Sequence, residues 1–479
     1  MDKIKQLFRR TSYEPLAEEP REDGDESTTV QDDKIPFSWI DYATYFLLGI
    51  AMLWAWNMFL AAGPYFQTRF STSPRILSHF QSAELSVSTL ANLGSMLVLT
   101  NMQARASYPK RIISALVITT GTFVLLALST RVHTSAGAYF AFLIVMVFLT
   151  SLATGLCQNG VFAFVSGFGR DEYTQGIMTG QAVAGVLPCI AQIVSVLSIP
   201  ERHSDESAEK GTGADGKEAP QESWKSAFAY FLTATFISLI TLLAFFLLLS
   251  RHRHDRIRKA SLASSLATAS GDDSTPNNPA EGETTSEPPT RTRIPLLTLF
   301  KKLRYLSLAV FLTFAITMVF PVFTQRIESI HSPSPSSPHS PSVPRIYHTP
   351  VFIPLAFLIW NLGDLLGRLS AASPRLRLTH RPILLFLLAL CRIVFIPLYL
   401  LCNIRDRPGA PVMRSDAFYL VVVQLLFGLS NGFIGSMCMM GTAEWVEPGE
   451  REAAGGFMSL CLVGGLAVGS LLSFVVGGS

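Results

Sequence analysis

Long apolar runs separated by short polar segments set the pattern of this chain. A helix needs about 20 mostly apolar residues to cross the hydrocarbon core of a bilayer. Eleven runs approach or exceed that length, at 39–63, 80–101, 111–130, 137–168, 174–199, 226–250, 302–323, 349–373, 381–402, 416–440 and 453–476. The pattern therefore predicts an all-α polytopic membrane protein with eleven transmembrane helices.

Three polar segments divide these runs. Residues 1–37 are acidic, residues 251–296 are rich in Ser, Thr, Pro and Glu between basic ends, and residues 327–346 are rich in Ser and Pro. Such compositions bury too little apolar surface to fold. We predict a disordered N-terminus (1–37), a six-helix bundle (38–250), a disordered loop (251–296) and a five-helix bundle (297–479) that contains a disordered loop at 327–346.

The distribution of Lys and Arg predicts the orientation, because cytoplasmic loops carry an excess of both. The contrast is sharpest between "RHRHDRIRK" after the sixth run and "TRVHTS" after the third. The N-terminus is therefore predicted to be cytoplasmic, with loop 251–296 on the same side and loop 327–346 on the exterior or luminal side. The "YEPL" at Tyr13 to Leu16 matches a tyrosine sorting signal for lysosome-like compartments. A vacuolar or lysosome-like membrane and the plasma membrane are both expected locations.

Composition agrees with a membrane protein and excludes several other classes. Only 15% of the 479 residues are charged, whereas soluble domains have about a quarter. The net charge of +3 gives no reason to expect a nucleic-acid partner. All six cysteines lie in or at the ends of apolar runs, so we expect free thiols. The sequence has no CxxC, HExxH, Walker or GxSxG pattern, and it predicts neither an enzyme nor a bound cofactor or metal.

Two opposite charges nevertheless lie in the middle of the eighth run, within "IWNLGDLLGR". Asp364 and Arg368 are four residues apart, so they share one helix face, and Asn361 lies on that face too. Charges at the bilayer centre cost at least roughly 2.5–3.5 kcal/mol each and face the bundle interior or a wet cavity. Both a structural ion pair and a substrate-facing pair satisfy this constraint.

Neutral polar side chains recur in the runs of both halves: Asn57, Gln158, Asn159, Gln181, Ser430, Asn431 and Ser436. Together with one ionic pair they fit a cavity for a polar, uncharged solute. No ring of acidic residues and no carbonyl filter pattern indicates an ion pore.

Seven stretches resemble the equilibrative nucleoside transporter family, in the manner of a fungal member: "AWNMFLAAGPYF", "GLCQNGVFAFVSGFGRDEYTQGIMTGQAVAG", "MVFPVFT", "NLGDLLGR", "CRIVFIPLYLLCN", "FGLSNGFIGSMCMM" and "EREAAGGFMSLCLVGGLAVGSLLSF". They cover most of the runs, and the match is weakest in the second, third and sixth. Ala55 stands where the family usually has proline, which leaves the kink of the first helix in doubt.

The resemblance implies a 6+5 major-facilitator-like fold that moves purine and pyrimidine nucleosides by alternating access. It implies that Asp364 and Arg368 hold the ribose hydroxyls and that Gln181 contacts the base edge. A carboxylate and a guanidinium fork suit vicinal hydroxyls, and an amide both donates and accepts. The remaining site residues that it implies are Asn361 in support of the eighth helix, Trp56 and Asn57 as cavity or gate residues, Leu53 and Leu60 as apolar flanks, and Phe320 and Pro321 in the wall. Asn92 of the second helix matches less securely.

Other readings are weaker. A major-facilitator-like carrier of another polar neutral solute, such as a sugar or drug, is the alternative, but "QARASYPKR" lacks the Gly-x-x-x-Asp signature of such carriers. A membrane enzyme would need a His or Asp cluster with metal spacing. The sequence is compatible with both passive and proton-coupled transport.

The loop after the sixth run also suggests regulation. In "IRKASLASS" two basic residues precede Ser261, which resembles the substrate of a basic-directed kinase. A phosphate would add about −1.5 to −2 charges beside "RHRHDRIRK" and weaken its attraction to anionic membrane lipids.

The predicted topology is testable by thiol labelling. A cysteine introduced at Ser334 should react with an impermeant reagent from the exterior or luminal face, and one at Ser274 should be protected in sealed vesicles. The opposite pattern would invert the topology, and labelling of both positions from one side would change the number of spans.

Overall fold

The computed structural model describes residues 37–103, 106–198, 220–269, 293–332, 343–405 and 411–477. Within these ranges the protein is almost entirely helical, and one isolated antiparallel bridge joins Ile327 to Ile404. The predicted sorting signal at Tyr13 to Leu16 and the labelling positions Ser274 and Ser334 lie outside the described residues.

Among the described residues, eleven helical spans are long and apolar enough to cross a membrane, as predicted. They are Trp39–Phe70, Pro74–Asn101, Tyr108–Ser129, Ala136–Ser166, Asp171–Val194, Trp224–His254, Leu296–Thr324, Thr349–Ala371, Pro382–Leu400, Phe418–Glu444 and Pro448–Ser473. We number them first to eleventh in this order. The chain is a multi-pass membrane protein.

Several spans consist of more than one helix. The first joins Trp39–Ala61 to Gly63–Phe70, and the seventh joins Leu296–Thr317 to Val319–Thr324. The ninth joins Pro382–Cys391 to Phe395–Leu400 through a 3-10 turn at Arg392–Val394. The tenth begins with a π-helical stretch, Phe418–Leu425, continues as the α-helix Leu426–Met440 and ends in a 3-10 turn at Gly441–Glu444. The eleventh begins with a 3-10 turn at Pro448–Glu450 and continues as the α-helix Arg451–Gly477. The fifth helix extends over Asp171–Ser198.

The second span begins earlier than the apolar pattern indicates, at Pro74 rather than residue 80. Ser73 is extended at the N-cap and Pro74 occupies the first turn. Proline is favoured there because its fixed φ suits a helix and its missing N–H would have had no partner within the helix. The helix therefore begins at Pro74 and includes residues 74–79, which are too polar to belong to the apolar run.

The sixth helix also differs from the prediction, because it runs over Pro220–Ala269. We expected a disordered loop from residue 251. The segment "IRKASLASSLATA" contains four Ala and two Leu, which favour helix, and the Pro-rich part of the loop comes only later. Ser261 therefore lies on the helical extension, although its side chain lies outside the described residues.

Close helix contacts pair the eighth span with the tenth. A Cβ on Gly428 would lie 2.1 Å from the carbonyl oxygen of Trp360, and one on Gly432 would lie 1.9 Å from that of Asp364. Only glycine allows backbones to approach this closely, as in other small-residue motifs of membrane helices. The "GLSNG" stretch of the tenth span is thereby held directly against the Asp364 turn.

The buried apolar cores differ at the two ends of the bundle. At the end where the first span begins, one core combines both halves, including Ile177, Phe162, Met437 and Phe457. At the opposite end the cores are separate. One contains Phe66, Phe123 and Phe231 of the first six spans, and the other contains Phe323, Phe352 and Tyr399 of the last five. We call the shared end the closed face and the divided end the open face; the two halves are packed together at the former.

Candidate functional site

The charged residues of the eighth span form a buried ion pair. Arg368 Nε donates to Asp364 Oδ2 at 2.8 Å, and both side chains are about 95% buried. Their spacing of one helical turn, expected from the sequence, makes this contact possible. The pair lies at the level where the shared core of the closed face gives way to the two separate cores.

The second oxygen of Asp364 is also occupied. Asn431 Nδ2 of the tenth span donates to Asp364 Oδ1 at 2.7 Å. Gly428 and Gly432 flank Asn431 and bring the two backbones together. The carboxylate therefore has a guanidinium on one oxygen and an amide on the other, as a buried anion requires.

Arg368 extends the site to the other half of the protein. Its Nη1 donates to the backbone oxygen of Met178 at 2.7 Å and to Gln181 Oε1 at 3.1 Å. Gln181 Nε2 in turn contacts Met52 Sδ of the first span at 3.4 Å. The structure thus brings together three of the predicted residues, Asp364, Arg368 and Gln181, from two halves.

Asn361 lies about two turns from Arg368, at the same contact between the fifth and eighth spans. Its Nδ2 donates to the Phe357 carbonyl at 2.8 Å and lies 3.6 Å from Cys189 Sγ. Its Oδ1 is 2.3 Å from the place that a Cβ on Gly185 would occupy. Asn361 therefore packs between the spans on the open side of the pair and makes no described hydrogen bond with it.

The predicted residues of the first span share one helix face. Leu53, Trp56 and Asn57 are partly exposed and Leu60 is 62% exposed. Asn57 Nδ2 donates to the Ala184 carbonyl of the fifth span at 2.7 Å. The exposure of these side chains increases toward the open face of the protein. In the described contacts the first span reaches Gln181 through Met52 and not through any of these four residues.

The seventh span supplies an aromatic wall. Phe320 is buried and stacks on Trp360, with ring centroids 4.3 Å apart and planes at 15°. Pro321 beside it is half-buried. Trp360 precedes Asp364 by one turn, and its buried Nε1 has no hydrogen-bond partner. Asn92 lies elsewhere, against Gly155 of the fourth span.

Sequence reasoning missed several members of this network. Thr317 Oγ1 of the seventh span lies 2.7 Å from Asn431 Oδ1, and Arg392 Nη1 of the ninth span donates to the same oxygen at 3.0 Å. A charge within a span was the signal that could have indicated Arg392. Thr317, Met178 and Trp360 gave no such signal.

The closed face carries its own charged cluster between the halves. Arg377 Nη2, in the connection between the eighth and ninth spans, lies 2.5 Å from Asp171 Oδ2 at the start of the fifth span and 2.8 Å from Glu444 Oε1. Partial burial alone would lower the pKa of Arg377, but the hydrogen bond with Glu444 and the charge of Asp171 raise it above its ordinary value. We call Asp171, Arg377 and Glu444 the closed-face latch.

In the described part of the chain, no group of three or more His, Cys, Asp or Glu residues is arranged to hold a metal ion.

Comparison with known proteins identifies the family. Residues 143–477 match the family model described as nucleoside transporter. The chain is 30% identical over 467 residues to "Nucleoside transporter FUN26" of Saccharomyces cerevisiae, covering 91% of this chain and 84% of that protein. It is 29% identical to human "Equilibrative nucleoside transporter 2", covering 90% and 95%.

Solved structures show the same fold at low identity. A Major Facilitator Superfamily transporter, FucP, crystallised in the outward conformation, matches with a TM-score of 0.53 and 13% identity over 92% of this chain and 93% of that one. The proton:xylose symporter XylE matches with a TM-score of 0.56 and 9% identity, covering 91% and 87%. These likenesses confirm the major-facilitator-like arrangement, and the family match does not favour a sugar or drug carrier. The chain belongs to the equilibrative nucleoside transporter family, and it is a nucleoside carrier rather than an enzyme.

Proposed function

We propose that the protein moves purine and pyrimidine nucleosides by alternating access, with Asp364, Arg368 and Gln181 as the centre of the substrate site. The observation that carries this proposal is the buried pair itself, bonded across the two halves where their separate cores begin. A site at this level can be reached from one face at a time as the halves rock.

The donors and acceptors suit a nucleoside. Asp364 is a carboxylate that accepts from two vicinal hydroxyls, and Arg368 donates to their oxygens. Such charge-assisted hydrogen bonds are strongest away from water. Their contribution to substrate binding therefore offsets the cost of burying the pair. Gln181 both donates and accepts, so it can bond to the edge of either a purine or a pyrimidine.

The remaining predicted residues take supporting roles in this proposal. Asn361 supports the eighth span, Phe320 and Pro321 shape the wall with Trp360, and Leu53, Trp56, Asn57 and Leu60 line the cleft from the first span. Their partial exposure along one helix face supports a place beside the cleft.

Alternating access requires the closed face to open. We propose that the closed-face latch is one of the contacts that break in this step, because Asp171 belongs to one half and Arg377 and Glu444 belong to the other. Partly exposed ion pairs contribute only about 0.2–1 kcal/mol, so the latch biases the equilibrium between states without trapping the carrier.

The positive-inside rule supports a cytoplasmic N-terminus and therefore a cytoplasmic closed face. In that orientation the open face is exterior or luminal, in a vacuolar or lysosome-like membrane or the plasma membrane. The helical extension to Ala269 would then lie on the cytoplasmic side, and the basic residues before Ser261 make it the proposed substrate of a basic-directed kinase.

We expect Asp364→Asn to abolish or strongly reduce nucleoside uptake by the purified protein in liposomes. The substitution keeps the shape but removes the charge that pairs with Arg368 and accepts from the sugar. Losing a charged hydrogen bond of about 1.5–3 kcal/mol corresponds to a roughly tenfold to hundredfold loss. Glu447→Gln, the same change at an exposed carboxylate, should transport normally. A well-folded, active Asp364→Leu, Arg368→Leu double variant would show that the pair is only structural.

We expect Gln181→Ala to raise the apparent Km and to alter the preference between purine and pyrimidine nucleosides, because one partner of the base edge is removed. Competition uptake with adenosine and uridine measures both effects. Gln103→Ala removes a buried amide just after the second span, bonded to Thr100 and Ile294, and should leave the preference unchanged. Unaltered Km and preference in Gln181→Ala would place this residue outside the pocket.

We expect Arg377→Gln to open the closed face more often. A cysteine introduced at Met440, which is buried at that face, should be labelled up to roughly fivefold faster, the population shift expected from an ion pair of about 1 kcal/mol. The matched control is Lys302→Gln, which breaks an ion pair with Glu450 inside one half. Equal labelling in both variants would exclude a gating role for the latch. All of these variants are made in a protein whose native cysteines have been replaced.

A further inference from the structure

Arg392 is a buried cation that the proposed substrate site does not use directly. Its side chain is 1% exposed, in the 3-10 turn that interrupts the ninth span. The guanidinium lies over the ring of Phe427, 4.7 Å from its centroid. No carboxylate in the described residues is within salt-bridge distance, and Arg392 Nε has no partner. Burying such a charge is costly, and its other contacts show what it contributes.

Those contacts lead to Asp364 through one intermediary. Arg392 Nη1 donates to Asn431 Oδ1 at 3.0 Å, and Arg392 Nη2 donates to Thr317 Oγ1 at 2.9 Å. Asn431 Nδ2 then donates to Asp364 Oδ1 at 2.7 Å. Arg392, Asn431 and Asp364 thus form a chain across the ninth, tenth and eighth spans.

The chemistry of arginine determines which way the Asn431 amide points. A guanidinium has donors and no acceptor. The amide oxygen must therefore face Arg392, and the amide nitrogen must face Asp364. An NH₂ group directed at a carboxyl group favours its unprotonated, accepting form. Without Arg392 the amide could flip and present its oxygen to Asp364, which would leave Asp364 Oδ1 without the Asn431 donor.

The charges are consistent with this role. Two buried arginines, Arg368 and Arg392, flank the buried carboxylate Asp364. The fifth, seventh and tenth spans contribute only uncharged groups to the described contacts of these three residues, from Gln175, Met178, Gln181, Thr317, Phe427 and Asn431. Arg368 contacts Asp364 directly, and Arg392 reaches it through Asn431.

We propose that Arg392 is a positioning residue that, through Asn431, holds Asp364 in place as an acceptor for the hydroxyls of the substrate's sugar. This inference rests on the proposed function, in which Asp364 binds the ribose. It assigns sugar-hydroxyl selectivity in part to a residue of the ninth span that does not touch the substrate.

The test is the selectivity for uridine over 2′,3′-dideoxyuridine in proteoliposomes. It is measured as the apparent Km for the dideoxynucleoside divided by the apparent Km for uridine. Arg392→Gln should raise the Km for uridine roughly tenfold and change that for the dideoxynucleoside little, so the selectivity falls. Arg392→Lys, which keeps the charge and a donor, should restore most of it. A residue that only stabilises the fold would alter the amount of active protein and leave this ratio unchanged.

The chain offers matched controls. Arg375→Gln makes the same substitution at an exposed arginine and should leave the ratio unchanged. Thr317→Val is nearly isosteric and removes one acceptor of Arg392, so it should lower the ratio less than Arg392→Gln, in the same direction. If Arg392→Gln fails to fold, Thr317→Val decides the question. An unaltered ratio in Thr317→Val would then overturn the inference.

Double variants separate this inference from the proposed function. In an Asn431→Ala background, Arg392→Gln should have little additional effect on the ratio, because the intermediary is gone. If Asp364→Asn lowers the ratio and Arg392→Gln does not, the positioning role is wrong and the ribose site stands. If Asp364→Asn leaves the ratio unchanged, the ribose site and this inference are both wrong. Full additivity of Arg392→Gln and Asn431→Ala would also exclude action through Asn431.

Discussion

Charges placed within a membrane bundle must be compensated inside the protein, and the interior of this carrier is organised around that constraint. Asp364 receives a hydrogen bond on each oxygen, from Arg368 and from Asn431. Arg368 is held in turn by the other half of the protein, through Gln181 and the Met178 carbonyl. Because neither charge can be left unpaired in low dielectric without a large cost, every helix that contacts the pair has a defined position.

Helix irregularity and close packing make this compensation possible. Gly428 and Gly432 let the tenth span approach the eighth at backbone distance, and Asn431 between them reaches Asp364. The seventh span breaks just after Thr317, and the ninth changes to a 3-10 turn at Arg392. Breaks in otherwise regular helices often occur at functional sites, and here two of them supply polar groups to one network.

The same site separates two kinds of packing. Toward the closed face one apolar core joins both halves, and charged contacts such as Arg377 with Asp171 span them. Toward the open face each half has its own aromatic core. A carrier needs strong packing within each half and weaker, reversible contacts between halves, so that the exchange between states costs little. Buried aromatic clusters provide the first, and partly exposed ion pairs provide the second.

The sequence by itself determined the eleven spans, the pairing of Asp364 with Arg368 and the family, because apolar length, helical periodicity and motifs are local properties of the chain. It also identified Gln181, whose contact with Arg368 the structure describes. It could not determine the start of the second helix or the extension of the sixth, where capping and helix propensity outweigh hydropathy. Only the tertiary structure decided which neutral polar residues join the site. Asn431 and Thr317 bond to the network while Asn92 packs against the fourth span. All three are polar residues in spans, and their difference arises from which face of each helix meets its neighbour. Arg392 shows the same limit most clearly, since its role depends on the orientation of one amide that three spans determine together.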